Sequence, residues 1–178
     1  MRARILLLAG LAAALLAAPL RAELMIESMR WELAKPARGR RAAFEAVSAL
    51  PTAPPRFEGK LLLRVVLKNR GPREADGILL RYCLAARLVR LDGGGEGIWA
   101  VPFRVDEKRV PKVAANKYFE VTLDPSGSMD LPFPNYLRRV YSSGFWPDQL
   151  KAQVMLSPHR GSVETIETHE LILPVKRP

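Results

Sequence analysis

The sequence predicts an all-β protein, an antiparallel β-sandwich of about seven strands with one short helix near 135–143. Three observations predict it. Apolar residues recur at every second position in several short runs, the period of a half-buried strand. Turn residues separate these runs roughly every 8–12 positions, a spacing that suits a sandwich. Helical patterns do not alternate with the strands, so a parallel sheet built from βαβ units is not expected.

The chain opens with MRARILLLAGLAAALLAAPLRA, two arginines ahead of an apolar run from Ile5 to Ala18 and then small residues before Glu23. That order is the layout of a secretory signal peptide over residues 1–22, with candidate cleavage points after Ala18 or Ala22. Retention as an anchor is the alternative, but a spanning helix needs about 20 apolar residues and the run is shorter. The expected location is therefore outside the cytoplasm, periplasmic or extracellular. The single cysteine, Cys83, lies far beyond the leader, which rules out a lipid-bearing cysteine at a new N-terminus. No later segment is apolar enough over enough residues to cross a bilayer, so no membrane span is expected once the leader is removed.

Residues 23–178 read as one domain. Its first strand is Leu24 to Leu33, with Trp31 near the end. A long loop insertion follows at 34–59, rich in proline and arginine, in which Ala42 to Leu50 has helical spacing of Phe44, Val47 and Leu50. Lys60 to Asn69 is the strongest strand: Leu61, Leu63, Val65 and Leu67 share one face, which belongs in the core. Asn69-Arg70-Gly71-Pro72 breaks the chain. A second long strand from about Gly77 to Leu91 keeps Ile78, Leu80, Tyr82, Leu84 and Leu88 in alternation. Gly93-Gly94-Gly95 is a hairpin tip leading into Ile98 to Val105, which should pair back on the preceding strand. Asp106-Glu107 reads as a charged turn followed by Lys108 and Arg109, a surface ion-pair cluster. Lys117 to Leu123 is a short strand with Phe119, Val121 and Leu123 on one side, closed by Asp124-Pro125-Ser126-Gly127. Asn135 to Ser143 is the helix, with Asn135 as N-cap, Tyr136, Leu137, Val140 and Tyr141 as its apolar side and Gly144 as its stop. Phe145-Trp146-Pro147 connects to a strand from Gln149 to Leu156. After a turn at 158–161, a last strand within Val163 to Val175 ends in Leu171, Leu173 and Val175.

The segment LLLRVVLKNRGPREADGILLRYCLA resembles the second and third strands of bacterial immunoglobulin-like domains of the CARDB type. Val65, Leu67, Asn69, Gly71, Ala75, Gly77, Ile78 and Leu80 carry the resemblance, as apolar alternation, Asn-x-Gly, a polar spacer, Ala-x-Gly and alternation again. Asn69 and Gly71 suit a turn, and Gly77 would relieve crowding where the next strand starts. The resemblance covers about 25 residues and implies an immunoglobulin-like sandwich. Domains of that type generally serve as spacers, adhesive modules or interaction modules.

The formal charge is +10, and Arg2, Arg4 and Arg21 belong to the leader, leaving 25 basic against 18 acidic residues, an excess of +7. These charges are scattered rather than gathered beside stacking aromatics, so nucleic acid is not an expected partner. A basic surface that favours anionic envelope polymers or lipid headgroups fits better. One cysteine makes no internal disulfide, and Cys83, inside an apolar pattern, reads as a small buried hydrophobe.

No catalytic arrangement emerges. Only His159 and His169 could serve as general bases, and neither is placed by a motif beside Ser126 or Ser128. His159, His169, Glu167, Glu170 and Met155 lack metal-ligand spacing, and strand alternation would send Glu170 to the face opposite Glu167 and His169. Neither a metal site nor a cofactor is expected. The aromatics supply the candidate binding residues: Trp99, Phe103, Phe145 and Trp146 could line a patch for a peptide strand or a sugar chain. Trp31 and Trp99 read more readily as core, whereas Trp146, next to Pro147 on a connecting loop, suits core and surface about equally. The expected function is a non-enzymatic binding module of the cell envelope that engages a protein partner through an edge strand or the Phe145-Trp146 loop. A carbohydrate- or anionic-polymer-binding domain, with cell-wall polymer as ligand, is the alternative, and an enzyme of unknown class is third.

Overall fold

Strict alternation along Lys60–Asn69 places Leu61, Leu63, Val65 and Leu67 in the interior, each essentially without solvent contact. The computed structural model that contains this strand describes residues 22–34, 43–50, 60–124, 133–157 and 166–176. Residues 1–21 of the leader, most of the insertion at 34–59, the turn from Pro125, Ser126, Ser128 and His159 lie outside the described residues.

Nine strands and one helix are described. In chain order they are β1 (Leu24–Ala34), β2 (Glu45–Val47), β3 (Lys60–Asn69), β4 (Ile78–Arg90), β5 (Ile98–Trp99), β6 (Arg104–Val110), β7 (Tyr118–Leu123), α1 (Phe133–Ser142), β8 (Phe145–Leu156) and β9 (Glu167–Pro174). They form two antiparallel sheets. The first has the order β2-β1-β3-β7. The second has the order β4-β8-β9, with β5 and β6 lying end to end along the other side of β4. Seven of the strands are long. Counted among themselves, the first, second and fifth of these share one sheet and the third, fourth, sixth and seventh share the other, the Greek-key partition of an immunoglobulin-like sandwich. The two remaining strands, β2 and β5, are short additions.

Between the sheets, Leu63, Val65, Leu67, Val121 and Leu123 from one side meet Leu80, Leu84, Leu150, Ala152, Val154 and Leu173 from the other. This buried set is large enough to hold a domain of this size without disulfides. Helix α1 lies against β8, with Leu137 and Val140 buried. It ends at Gly144, whose φ of 83° is a left-handed conformation that glycine adopts freely.

Several expectations are corrected. The segment 43–50 is not helical: Glu45–Val47 is a strand in which Val47 pairs with Trp31 and Glu45 with Leu33, so pairing with the edge of β1 overrides the local helical spacing. Asp106-Glu107 is not a turn, because both residues belong to β6 and pair with β4. Ile98 to Val105 is not one strand, since β5 stops at Trp99 and β6 begins at Arg104. The helix starts two residues earlier than expected, which puts Pro134 in the first turn, where no backbone donor is required, and Asn135 inside the helix rather than at its cap. Gly77 is needed for its φ of 68°, not for relief of crowding, because a Cβ there would meet nothing within 4 Å. Cys83 is half-buried on the outward face of the second sheet, where its thiol lies 3.6 Å from the Gln153 side-chain oxygen.

Candidate functional site

The site is built on β7 and the strand beside it in the other sheet. Strand β7 pairs with β3 and, among the described strands, with no other. The Lys117 carbonyl accepts from the Asn69 amide of β3, so the odd residues of β7 bond inward to the sheet. Alternation then turns the N–H and C=O of Tyr118, Glu120 and Thr122 away from β3, toward the open edge. Side chains alternate in the other direction. Val121 and Leu123 point into the core, and Phe119 packs half-buried at its rim.

Alongside this edge runs a groove of about 260 Å³ between β6 and β7. Val110, Pro111, Phe119 and Val121 give it an apolar part, and Lys108, Arg109, Glu120 and Thr122 complete the lining. Lys108 spans the gap: its ammonium donates to the Thr122 backbone carbonyl at 2.8 Å. That carbonyl is one of the outward-facing groups an added strand would use. A lysine on a free edge is a common device for discouraging unwanted strand pairing.

Electrostatics around β7 are organised by carboxylates on the outward face of the first sheet. Glu32, itself buried, accepts from Arg64 Nε at 3.0 Å and from Arg30 Nε at 2.8 Å. Glu120 of β7 is held by both arginines, at 2.7 Å from Arg64 and 3.0 Å from Arg30. The hydrogen bond from Arg64, aided by Arg30, keeps the Glu32 carboxyl below its ordinary range against the opposing effect of burial. Lys68 lies over the Tyr118 ring at 3.5 Å, a cation–π contact.

The ring contacts described for the aromatics predicted as binding residues are with other side chains. Trp146 is not on a connecting loop: it is the second residue of β8, pairs with Val89 and is 1% exposed. Its ring meets Tyr141 of α1 edge-on at 6.3 Å. Pro147 did not end the strand early, because β8 shifts register at this point against β4. Phe145, at the strand's first position, is half-buried opposite Arg90. Phe103 stacks on Tyr136 at 4.1 Å and fixes the helix to the β5–β6 link. Trp31 is core as expected, but Trp99 is not: it stands 40% exposed on the second sheet, with the Lys151 ammonium 4.8 Å from its ring.

His169 pairs with Glu167 at 2.5 Å, and the same carboxylate accepts from the Ile26 amide at 3.2 Å, where β1 shifts register. This group joins β9 to β1. Among the described hydrogen bonds His169 meets no hydroxyl or thiol. No described helix is long and apolar enough to cross a membrane.

The β7 edge escaped the sequence reading because Phe119, Val121 and Leu123 signal a core face without revealing which strand neighbours it. The partial clue was the four-charge run at 106–109, which is how an edge strand guards itself. Compared with protein-family models and with curated proteins, the chain matches none.

Proposed function

We propose that the chain is an exported, non-enzymatic protein-binding module that takes up an extended segment of a cell-envelope protein on the free edge of β7. One observation carries the reading: β7 pairs on one side only among the described strands, and an apolar groove lies beside its open side. Strand addition of this kind draws affinity from main-chain hydrogen bonds and specificity from pockets that take alternate side chains. Tyr118, Glu120 and Thr122 supply the first, and the space between Val110, Phe119 and Val121 supplies the second. The other edges suit the role less. Strands β2 and β5 have three and two residues, β6 carries the charges of Arg104 and Asp106 to Arg109 that guard an edge, and β9 is already engaged through Glu167 and through Pro174, whose carbonyl accepts from Leu50. The leader supports export, and the CARDB-type pattern over 65–80 is in keeping with an interaction module.

The test is photo-crosslinking in the native host, with a benzophenone amino acid in place of Tyr118 or, separately, Trp99. A single protein adduct from position 118 and none from position 99 is expected. Adducts from position 99 alone would move the contact surface to the outward face of the second sheet.

A second reading, binding of an anionic cell-wall polymer, is favoured by the exposed Trp99 ring beside Lys151. Retention of the protein on isolated wall polymer should then fall steeply between about 0.05 and 0.5 M salt. Retention that ignores salt, or none, would remove this reading.

A further inference from the structure

The residue that closes the β7 edge also indicates what opens it. Lys108 holds the Thr122 carbonyl, which an arriving strand must take with its own N–H. The arriving strand enters on the side of the carbonyl that the ammonium occupies, so the ammonium is displaced toward another acceptor. The carboxylates nearby are already engaged, Glu107 by Arg81 and Asp124 by Lys60. Among the described residues Lys108, Arg109, Lys68 and Lys117 have no carboxylate partner, while Glu120, the acidic residue of β7, is already held by Arg30 and Arg64. An incoming segment therefore meets uncompensated positive charge along an apolar groove. A basic segment is repelled there, and a neutral one leaves the displaced ammonium to water.

We propose that the segment taken up on β7 is acidic, with carboxylates alternating with apolar side chains, and that Lys108 selects it by exchanging the Thr122 carbonyl for a carboxylate of the incoming chain. The partner's N–H replaces Lys108 on the carbonyl, and its apolar side chains enter the groove beside Phe119 and Val121. This rests on the edge-strand reading above.

Three synthetic heptapeptides test it, alternating valine with glutamate, with threonine or with lysine. Each is titrated into the isotope-labelled full chain, expressed with its leader so that processing follows its natural course, while the backbone amides of residues 118–122 are followed by NMR. The glutamate peptide should shift those amides and bind about threefold or more tightly than the threonine peptide, an advantage that disappears near 0.5 M salt. Lys108→Ala should abolish that advantage and, by uncapping the Thr122 carbonyl, leave the threonine peptide binding as well as before or better. Equal binding of the glutamate and threonine peptides to the unsubstituted protein overturns the charge selection and leaves the edge reading standing. If none of the three moves the β7 amides, the edge reading itself falls.

Discussion

Arg64 grips Glu32 with two nitrogens, Nε at 3.0 Å and Nη2 at 2.5 Å from the same carboxylate oxygen, on a sheet face that points away from the core. Glu32 is nonetheless only 5% exposed. Its other oxygen accepts from Arg30, and Glu120 links the two arginines from the neighbouring edge strand, so the four charges tie β1, β3 and β7 together across one row. A carboxylate this enclosed is stabilising only while its partners are present.

Glu32→Gln should therefore cost about 1–3 kcal/mol of unfolding free energy, measured by urea denaturation at neutral pH. The pH dependence has a definite sign. Arg64 lowers the folded-state value of Glu32 below the ordinary 4.5, so its stabilisation is complete above that value and is lost as pH falls through the folded-state value. The unsubstituted protein should lose stability below about pH 4.5, and Glu32→Gln should flatten that part of the profile. An unchanged slope in the variant would assign the acid sensitivity to other carboxylates.

Asn69 predicts an order of substitutions. Its buried side-chain amide donates to the carbonyls of Arg73 at 2.7 Å and Val113 at 3.1 Å, while its oxygen accepts from the amides of Gly71 and Glu23. Asn69→Ala should cost about 2–4 kcal/mol, since buried backbone groups on both sides lose their partners. Asn69→Asp keeps the acceptor and loses the donors, and sets a carboxylate against three carbonyls, those of Arg73, Val113 and Ala114. It should be at least as destabilising as alanine at neutral pH, and should recover in part on acidification as the carboxyl regains a proton. A much milder aspartate variant at neutral pH would show that the accepting side alone matters.

The two tryptophans flanking the second sheet should behave oppositely. Trp146→Ala empties a fully buried site and should cost about 3–5 kcal/mol, with any loss of binding following loss of fold. Trp99→Ala removes a ring that is 40% exposed and should change stability by less than about 1 kcal/mol. Thermal melts of the two variants side by side decide the matter. A large loss at Trp99 would mean that the ring's contact with Lys151 matters more than its exposure suggests.

Sequence and structure agree where a residue's face is dictated by its own strand. The alternation in Lys60–Asn69 located the core face because a period of two leaves one choice of side. The helix was visible from the spacing of Leu137 and Val140 and from Gly144. The fate of Trp99 and Trp146 was not legible, because each depends on where a neighbouring strand starts: β8 begins ahead of Pro147, and β5 stops at Trp99. For the same reason Val47 and Leu50 looked helical. Both are instead fixed by pairing with partners far away in sequence, Trp31 and Val175. The candidate site is the least legible part, since an open edge is defined by a missing neighbour.

The Leu50–Val175 bridge gives the sandwich a spine. Leu50 donates to the Pro174 carbonyl at 2.8 Å and Lys176 donates back to Leu50, while further along the same side Glu167 holds the Ile26 amide. These contacts bind the two sheets like the sewn margin of a book. On the opposite, fore-edge side, β6 and β7 are laced by the reach of Lys108. Thermal breathing of such an object is lopsided: the covers part at the fore-edge while the spine stays shut. Amide hydrogens of Glu120 and Thr122 should accordingly exchange with solvent far faster than those of Leu50 and Val175.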